Sequence, residues 1–469
     1  MKSMKPNLSN FIVKQSTSLN EVLKFIEINQ HGVAFAVNSD GKVIGIVTDG
    51  DIRRKLIESA SLDDSVEVCL NKDFVWADEE SSRELLLKQL DHHIRVIPIL
   101  NKNKHLVDLV SRDYLPIQQE EKTYARARAP VRISFGGGGS DLTHYFADEG
   151  GAVINTTISL YSHATLRKRK DRKIIIYSHD LKGELIVDNF QELLKSKSKF
   201  GLLQALVRTI HPDFGFELYI HSDFPMRSGL GGSAVVSAAV LGCFNQFRQD
   251  KWDQHDLAEL TFQAERLYLG VSGGWQDQYA TVFGGFNFME FRMEQNIVHP
   301  LRIQHETMLE LEESLVLCDT KIAHDSGEIH NDQKQKMQSD SVRHKVQSNV
   351  ELTYRMRNLL LRGKLIEFGR CLHESWLYKK QFSNKISNEG LDSIYDLALK
   401  NGAIGGKLMG AGGGGFFLFY VPPFDKHKLI GALEKNGQRV RAFRFEPNGL
   451  QAWSVREGRN HSWGDNHDV

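Results

Sequence analysis

The stretch Asp223-Phe224-Pro225-Met226-Arg227-Ser228-Gly229-Leu230-Gly231-Gly232-Ser233-Ala234 decides how this chain is read. Before it, Phe216, Leu218 and Ile220 alternate with Glu217, Tyr219 and His221, the period of a strand with one buried face. After it, residues 234–247 are apolar on nearly every side, the pattern of a buried helix. A glycine loop between a strand and a helix start gathers unpaired backbone N–H groups and the positive end of the helix dipole. Such a cradle binds phosphate, and the missing side chains let the backbone approach the anion closely. The competing reading is a glycine turn ahead of a core helix, and the residues around it decide between the two.

Two acids give the loop its chemistry. Glu265 comes late in a helical pattern, Leu257–Leu269, that stops at Gly270. Asp277 follows in Gly273-Gly274-Trp275-Gln276-Asp277-Gln278. A metal–phosphate site needs one carboxylate for Mg²⁺ and another facing the hydroxyl that attacks. The chain has no GxxxxGK[ST], so the loop is not of the Walker type. Two further glycine clusters flank it, Gly136–Gly139 and Gly410–Gly415. The second contains GxGxxG at Gly410, Gly412 and Gly415. It precedes an apolar strand, Phe416–Val421, whereas a dinucleotide fingerprint follows a strand and opens a helix. A glycine run in that position packs against the phosphate loop or forms a bend.

A length of 469 residues argues for two or three domains. Hydrophobic residues at 41% and charged residues at 25% are those of a globular protein, and zero net charge speaks against a nucleic-acid partner. Cys69, Cys243, Cys318 and Cys371 have no CxxC spacing, which excludes a zinc or disulfide framework and fits a reducing compartment. No apolar run is long enough to span a bilayer, and Met1–Ser16 lacks a signal-peptide core, so a cytoplasmic protein without a membrane partner is expected. The basic run Arg167–Lys173 falls between apolar stretches and is expected to be a solvated hairpin tip. The tail after Glu457 reads as a frayed terminus.

The first 120 residues form a separate pattern. Val33–Val37, the turn Asn38–Gly41, Val43–Val47 and a helix opening at Thr48-Asp49-Gly50-Asp51 recur about 60 residues later as Arg95–Leu100, Asn101–Lys104 and Leu106–Val110. The polar stretch Leu115–Ala127 is expected to be the linker.

Three glycine clusters in this order resemble the galactokinase, homoserine kinase, mevalonate kinase and phosphomevalonate kinase (GHMP) superfamily. Ala129–Asp141 is similar to its first motif, Pro225–Ala234 to its phosphate loop and Gly405–Gly415 to its third motif. The resemblance implies an α+β fold with a ribosomal-protein-S5-like N-terminal lobe over 125–300 and a ferredoxin-like C-terminal lobe over 301–457. It implies ATP held by Pro225, Ser228, Gly229, Leu230, Gly231, Gly232, Ser233 and Ala234, with Mg²⁺ on Ser233 and Glu265. Asp277 takes the catalytic acid's place and Arg132 that of the basic residue near the transferred group. Gly138, Gly139, Ser140 and Asp141 would meet the sugar, as would Gly412 and Gly413. Two positions depart from the pattern: Gly232 stands for a serine, and Arg227 for a common glycine.

Within the superfamily, Arg132–Asp141, Gly150–Asn155, Trp376–Ser387 and Gly405–Leu408 resemble the D-glycero-D-manno-heptose 7-phosphate kinases. That implies a sugar-phosphate acceptor phosphorylated at its anomeric oxygen. A second phosphate needs its own cation, and Lys379, Lys380, Lys385 and Arg227 are candidates. The alternatives are a fucose-type 1-kinase and a nucleotide sensor with a vestigial kinase domain. Residues 1–120 resemble a pair of cystathionine-β-synthase (CBS) motifs. Thr48 and Asp51 match the adenine-nucleotide site, whereas Tyr114 stands at Asp51's place in the second copy. A regulatory or dimerising role follows, with a homodimer or higher homo-oligomer expected.

Overall fold

The computed structural model describes residues 6–91, 93–115, 124–322 and 326–456. The tail after Glu457 and the polar stretch 116–123 lie outside the described residues. The chain divides into two units, Met1–Glu120 and Glu121–Val469. Among the described residues no helix is long and apolar enough to cross a membrane, and all four cysteines are buried and unpaired.

The first unit is built twice from one plan. Strand Ile12–Lys14 runs parallel to Val33–Val37, which pairs antiparallel with Val43–Thr48. In the second copy Ala77–Asp78, Val96–Leu100 and Leu106–Ser111 repeat that order. Thr48 ends its strand and opens the helix Asp49–Ile57 through a capping box. Its Oγ1 accepts from Asp51 N at 3.1 Å, and Asp51 Oδ2 accepts from Thr48 N at 2.9 Å and from Thr48 Oγ1 at 2.7 Å.

The second unit holds a large sheet and a small one. The axis of the large sheet is the long strand Gly151–Lys168. On one side it pairs antiparallel with Tyr124–Gly136, and on the other with Phe216–Ser222 and Phe286–Phe291 placed end to end. The helix Gly232–Asn245 is buried along most of its length against the first two of these strands. The small sheet is antiparallel throughout, in the order Gly405–Leu408, Phe416–Tyr420, Leu315–Asp319, Arg439–Arg441. Helices Asp340–Leu361 and Leu365–Lys380 pack on each other, and the second also lies against Gly405–Leu408.

Three expectations are corrected. The linker does not reach Ala127, because the first strand of the large sheet begins at Tyr124. Ala125, Ala127 and Ala129 alternate inward, and their small side chains hide the period from a hydrophobicity pattern. The C-terminal lobe does not run unbroken to 457, because Gln451–Val455 returns to pair with Tyr124–Arg128 in the large sheet. The basic run 167–173 is not a hairpin tip, because Phe216–Ser222 inserts between Gly151–Lys168 and Ile174–Ser178 and pairs with both. Its charges are matched locally: Arg167 and Arg169 bind Glu217, and Arg169 also binds Asp171.

Candidate active site

The phosphate loop is held from behind by the third glycine cluster. A Cβ on Gly410 would lie 2.6 Å from Gly229 Cα, and one on Gly415 would lie 2.4 Å from Ser228 O. Backbone therefore lies on backbone, which only glycine allows. Gly229, Gly231 and Arg227 have positive φ, the last at 59°. That conformation explains why a glycine is common where Arg227 stands. Gly232 is explained by packing, since a side chain there would come within 2.9 Å of the Phe224 ring.

Arg132 joins the loop to the acid. Its Nη1 donates to Gly229 O at 2.7 Å, while Nε and Nη2 both reach Asp277 Oδ1, at 2.8 and 2.7 Å. Asp277 sits in the first turn of the helix Gln276–Phe283, where the helix dipole favours a carboxylate. Its other oxygen, Oδ2, lies 3.2 Å from the point where a Cβ on Gly231 would be. Asp277 thus faces the phosphate loop, with 23% of its side chain exposed to a cavity of about 390 Å³.

Glu265 lies on a π-helical turn, Gln263–Tyr268, that continues the helix Gln254–Phe262. It is only 2% exposed. Gln278 donates to it at 2.6 Å, and Ser233 is a second hydrogen-bond partner. Burial raises its pKa above the ordinary glutamate value. Ser233 and Glu265 are thus neighbours at the start of the loop helix. Two protein donors suit Mg²⁺ that takes its remaining ligands from phosphate and water.

Asp141 is buried at the end of the first glycine cluster. It accepts from Gly139 N at 3.0 Å and from Gln276 N and Nε2 at 3.3 and 3.1 Å. Burial, with the Asp277 charge behind it, raises its pKa. Gly138, Gly139 and Asp141 line the cavity. Ser140 does not: its hydroxyl donates to Gly137 O at 2.8 Å, with Ala152 O also in reach at 3.1 Å, and accepts from Ala152 N, so it ties the loop down.

Lys379 lines the cavity and donates to Leu408 O at 3.0 Å and to Gly410 O. Burial, helped by Arg132, pushes its pKa down to about 7. Lys380 points elsewhere and pairs with Asp392 at 3.2 Å. Gly412 and Gly413 are not among the lining residues; Gly412 packs on Ile386, and Gly413 N donates to Ile386 O at 2.8 Å. Sequence reasoning gave no role to Lys407, His330 or Gln276, which all line the cavity. Gln276, next to Asp277, and Lys407, inside the stretch Gly405–Leu408, carried a signal by proximity.

Family models match residues 196–285 (GHMP kinases N terminal domain), 356–439 (GHMP kinases C terminal) and 4–58 (CBS domain). The D-glycero-alpha-D-manno-heptose 7-phosphate kinase of Campylobacter jejuni is 37% identical over 336 residues, covering 70% of this chain and 99% of that protein. This chain belongs to the GHMP kinase family. The kinase is therefore a phosphotransferase, and its N-terminal unit carries a CBS domain. The L-fucokinase/L-fucose-1-P guanylyltransferase of Bacteroides fragilis is 29% identical over 67% of this kinase, but over only 36% of its own length. The crystal structure of a D-glycero-D-manno-heptose 1-phosphate kinase from Bacteroides thetaiotaomicron superposes with a TM-score of 0.58 at 29% identity, covering 71% of this kinase and all of that chain.

Proposed function

We propose that this kinase transfers the γ-phosphoryl group of ATP to the anomeric hydroxyl of D-glycero-D-manno-heptose 7-phosphate, forming the 1,7-bisphosphate. The observation that carries the reading is the Arg132 fork, which binds both Asp277 and the Gly229 carbonyl and so gives the acid and the phosphate loop one support. The similarity to the Campylobacter jejuni heptose 7-phosphate kinase over nearly all of that protein supports the choice of sugar.

Two sets of side chains stand out in the cavity lining. Leu181, Phe200, Leu203, Phe224 and Val236 are apolar and suit a purine base. Arg132, Asp141, Asp277, Lys379 and Lys407 are charged and suit a sugar phosphate. The loop touches both sets, with Gly232 against Phe224 and Gly231 against Asp277. In this reading the loop amides hold the ATP phosphates and Asp141 grips a sugar hydroxyl. Asp277 orients the anomeric O–H and takes its proton through Oδ2. The O–Pγ bond forms as the bond from Pγ to the ADP oxygen breaks. The transition state of such transfers is loose, so position and charge matter more than base strength. Ser233 and buried Glu265 would hold Mg²⁺, which would supply electrostatic stabilisation of the phosphoryl transfer.

Adenine-nucleotide binding near Thr48 and Asp51, a homo-oligomer and a cytoplasmic location belong to the same proposal. The test is ATP consumption with heptose 7-phosphate, heptose 1-phosphate, free heptose, L-fucose and D-galactose, with the product's phosphorylated position read by ³¹P NMR. Heptose 7-phosphate should give the highest kcat/KM and a new anomeric phosphate. A preference for heptose 1-phosphate or L-fucose overturns the reading.

A further inference from the structure

Lys407 is a buried lysine whose amino group has no partner among the described residues, and burial, together with the charges of Lys379 and Arg132, holds its pKa well below the ordinary lysine value. It is 2% exposed and lines the cavity, and its side chain makes no hydrogen bond or ion pair with any described residue. The strand Gly405–Leu408 explains its direction. Gly405 and Lys407 share one face by strand alternation. A Cβ on Gly405 would lie 2.2 Å from Gly369 O, so that face is pressed on helix Leu365–Lys380, which carries Lys379.

The other lysines and arginines that line the cavity, the exposed Arg227 apart, are already occupied. Arg132 is held by Asp277 and Gly229 O, Lys379 by two carbonyls, and Arg266 by the carbonyls of Val271 and Gly274. Lys199 donates to the carbonyls of Leu181 and Lys182, and Arg227 stands exposed on the loop. Burial disfavours the charged ammonium until an anion reaches it, and the ammonium then offers three donors to that anion. The charged groups around Lys407 are Lys379, Arg132 and Asp141. Asp141 belongs to the acceptor side of the cavity, whereas the nucleotide's charge has the loop amides and the Ser233–Glu265 pair.

We propose that Lys407 grips the phosphate that the acceptor sugar already carries, and so sets this kinase's preference for a sugar phosphate over a free sugar. This rests on the reading of the acceptor as a sugar phosphate. Lys379 acts beside it by fixing the carbonyls of Leu408 and Gly410, which flank the strand's end.

The test compares the full-length protein with Lys407→Met and Lys407→Arg on heptose 7-phosphate and on the unphosphorylated heptose at saturating ATP. The quantity read is the ratio of the two kcat/KM values. Losing a charge-assisted contact should shrink that ratio about 10- to 100-fold in Lys407→Met, mainly through KM for the phosphorylated sugar. Lys407→Arg should keep part of it. The thermal midpoint of Lys407→Met should equal or exceed the wild type's, because the change replaces an unpartnered buried polar group by an apolar one of similar volume. A wild type that does not discriminate overturns the reading of the acceptor, and this proposal with it. A discriminating wild type whose Lys407→Met variant loses both substrates alike overturns this proposal alone.

Discussion

At the scale of single residues, the site depends on how few buried charges it leaves unmatched. Asp277 and Arg132 form one unit, so Asp277→Asn should act twice. Turnover should fall by about 10²–10⁴, the range for a positioned proton acceptor. ATP affinity, measured by calorimetry, should change little because the loop amides remain. The variant should also lose about 1–3 kcal/mol of stability, since the Arg132 guanidinium keeps its burial and loses its counter-charge. Near-normal turnover would remove Asp277 from the mechanism. Lys379 gives a pH signature. Its pKa is pushed down to about 7 by burial and the Arg132 charge, against the attraction of Asp141 and Asp277. An ordinary lysine in the unfolded chain titrates near ~10.4. Between those values the unfolded chain binds the proton and the native chain does not, so ligand-free stability rises with pH across that window. Below it both states are protonated and the full cost is present. Relative to Lys379→Met, the wild type's thermal midpoint should climb from pH 7 to pH 9 in a calorimetric series. Parallel pH profiles would contradict the buried ammonium.

At the scale of elements, three glycine clusters act through contact with one another. Gly410 and Gly229 meet backbone to backbone, so Gly410→Ala inserts a methyl group where 2.6 Å is free. Overpacking of this kind costs about 1–3 kcal/mol. It should also push the phosphate loop forward and raise KM for ATP, measured by steady-state kinetics. An unaltered KM together with unaltered stability would mean that the third cluster does not support the loop. These contacts explain what was legible in the sequence. The loop, the helix behind it, Glu265 and Asp277 stand in one continuous stretch, where period and glycine spacing reveal strand, turn and helix. The match of Gly410–Gly415 to the loop came as one of two readings, because a bend and a packed turn share a composition. The role of Lys407 was illegible for a physical reason. Its strand has four residues, two of them glycine, which is too short to display a period. Its surroundings come from helix Leu365–Lys380 and from Arg132, far away in sequence. Lys380 was overrated for the converse reason, because adjacent lysines on a helix point in different directions. The alanine alternation at 125–129 was hidden because a buried alanine contributes little hydrophobic contrast.

At the scale of the whole molecule, chemistry and its proposed control fall into different stretches of chain. All the cavity-lining residues lie between Arg132 and Ala411, within the unit Glu121–Val469. Residues 1–120 have buried clusters of their own, among them one of Leu19, Val22, Ala34, Val47 and Ile52. A segment with its own core is able to fold alone. Residues 121–469 expressed alone should therefore retain phosphotransfer near the full-chain rate, measured by coupled ATP consumption. Collapse of that rate, with the fragment still folded by circular dichroism, would mean that the N-terminal unit completes the site. Regulation is then a separate question with its own readout. Thr48 and Asp51 already satisfy each other through the capping box, so a nucleotide must exchange those bonds for its own ribose and phosphate contacts. That exchange makes binding sensitive to Asp51 without making the fold depend on the ligand. Calorimetric titration of residues 1–120 with AMP, ADP and ATP should yield one site per chain, weakened by Asp51→Asn. If the full chain's rate responds to AMP and that of 121–469 does not, the two units are coupled, and linkage then requires that sugar binding alter AMP affinity by the same factor. Binding without any change in rate would leave the N-terminal unit an assembly module that senses nothing the kinase uses.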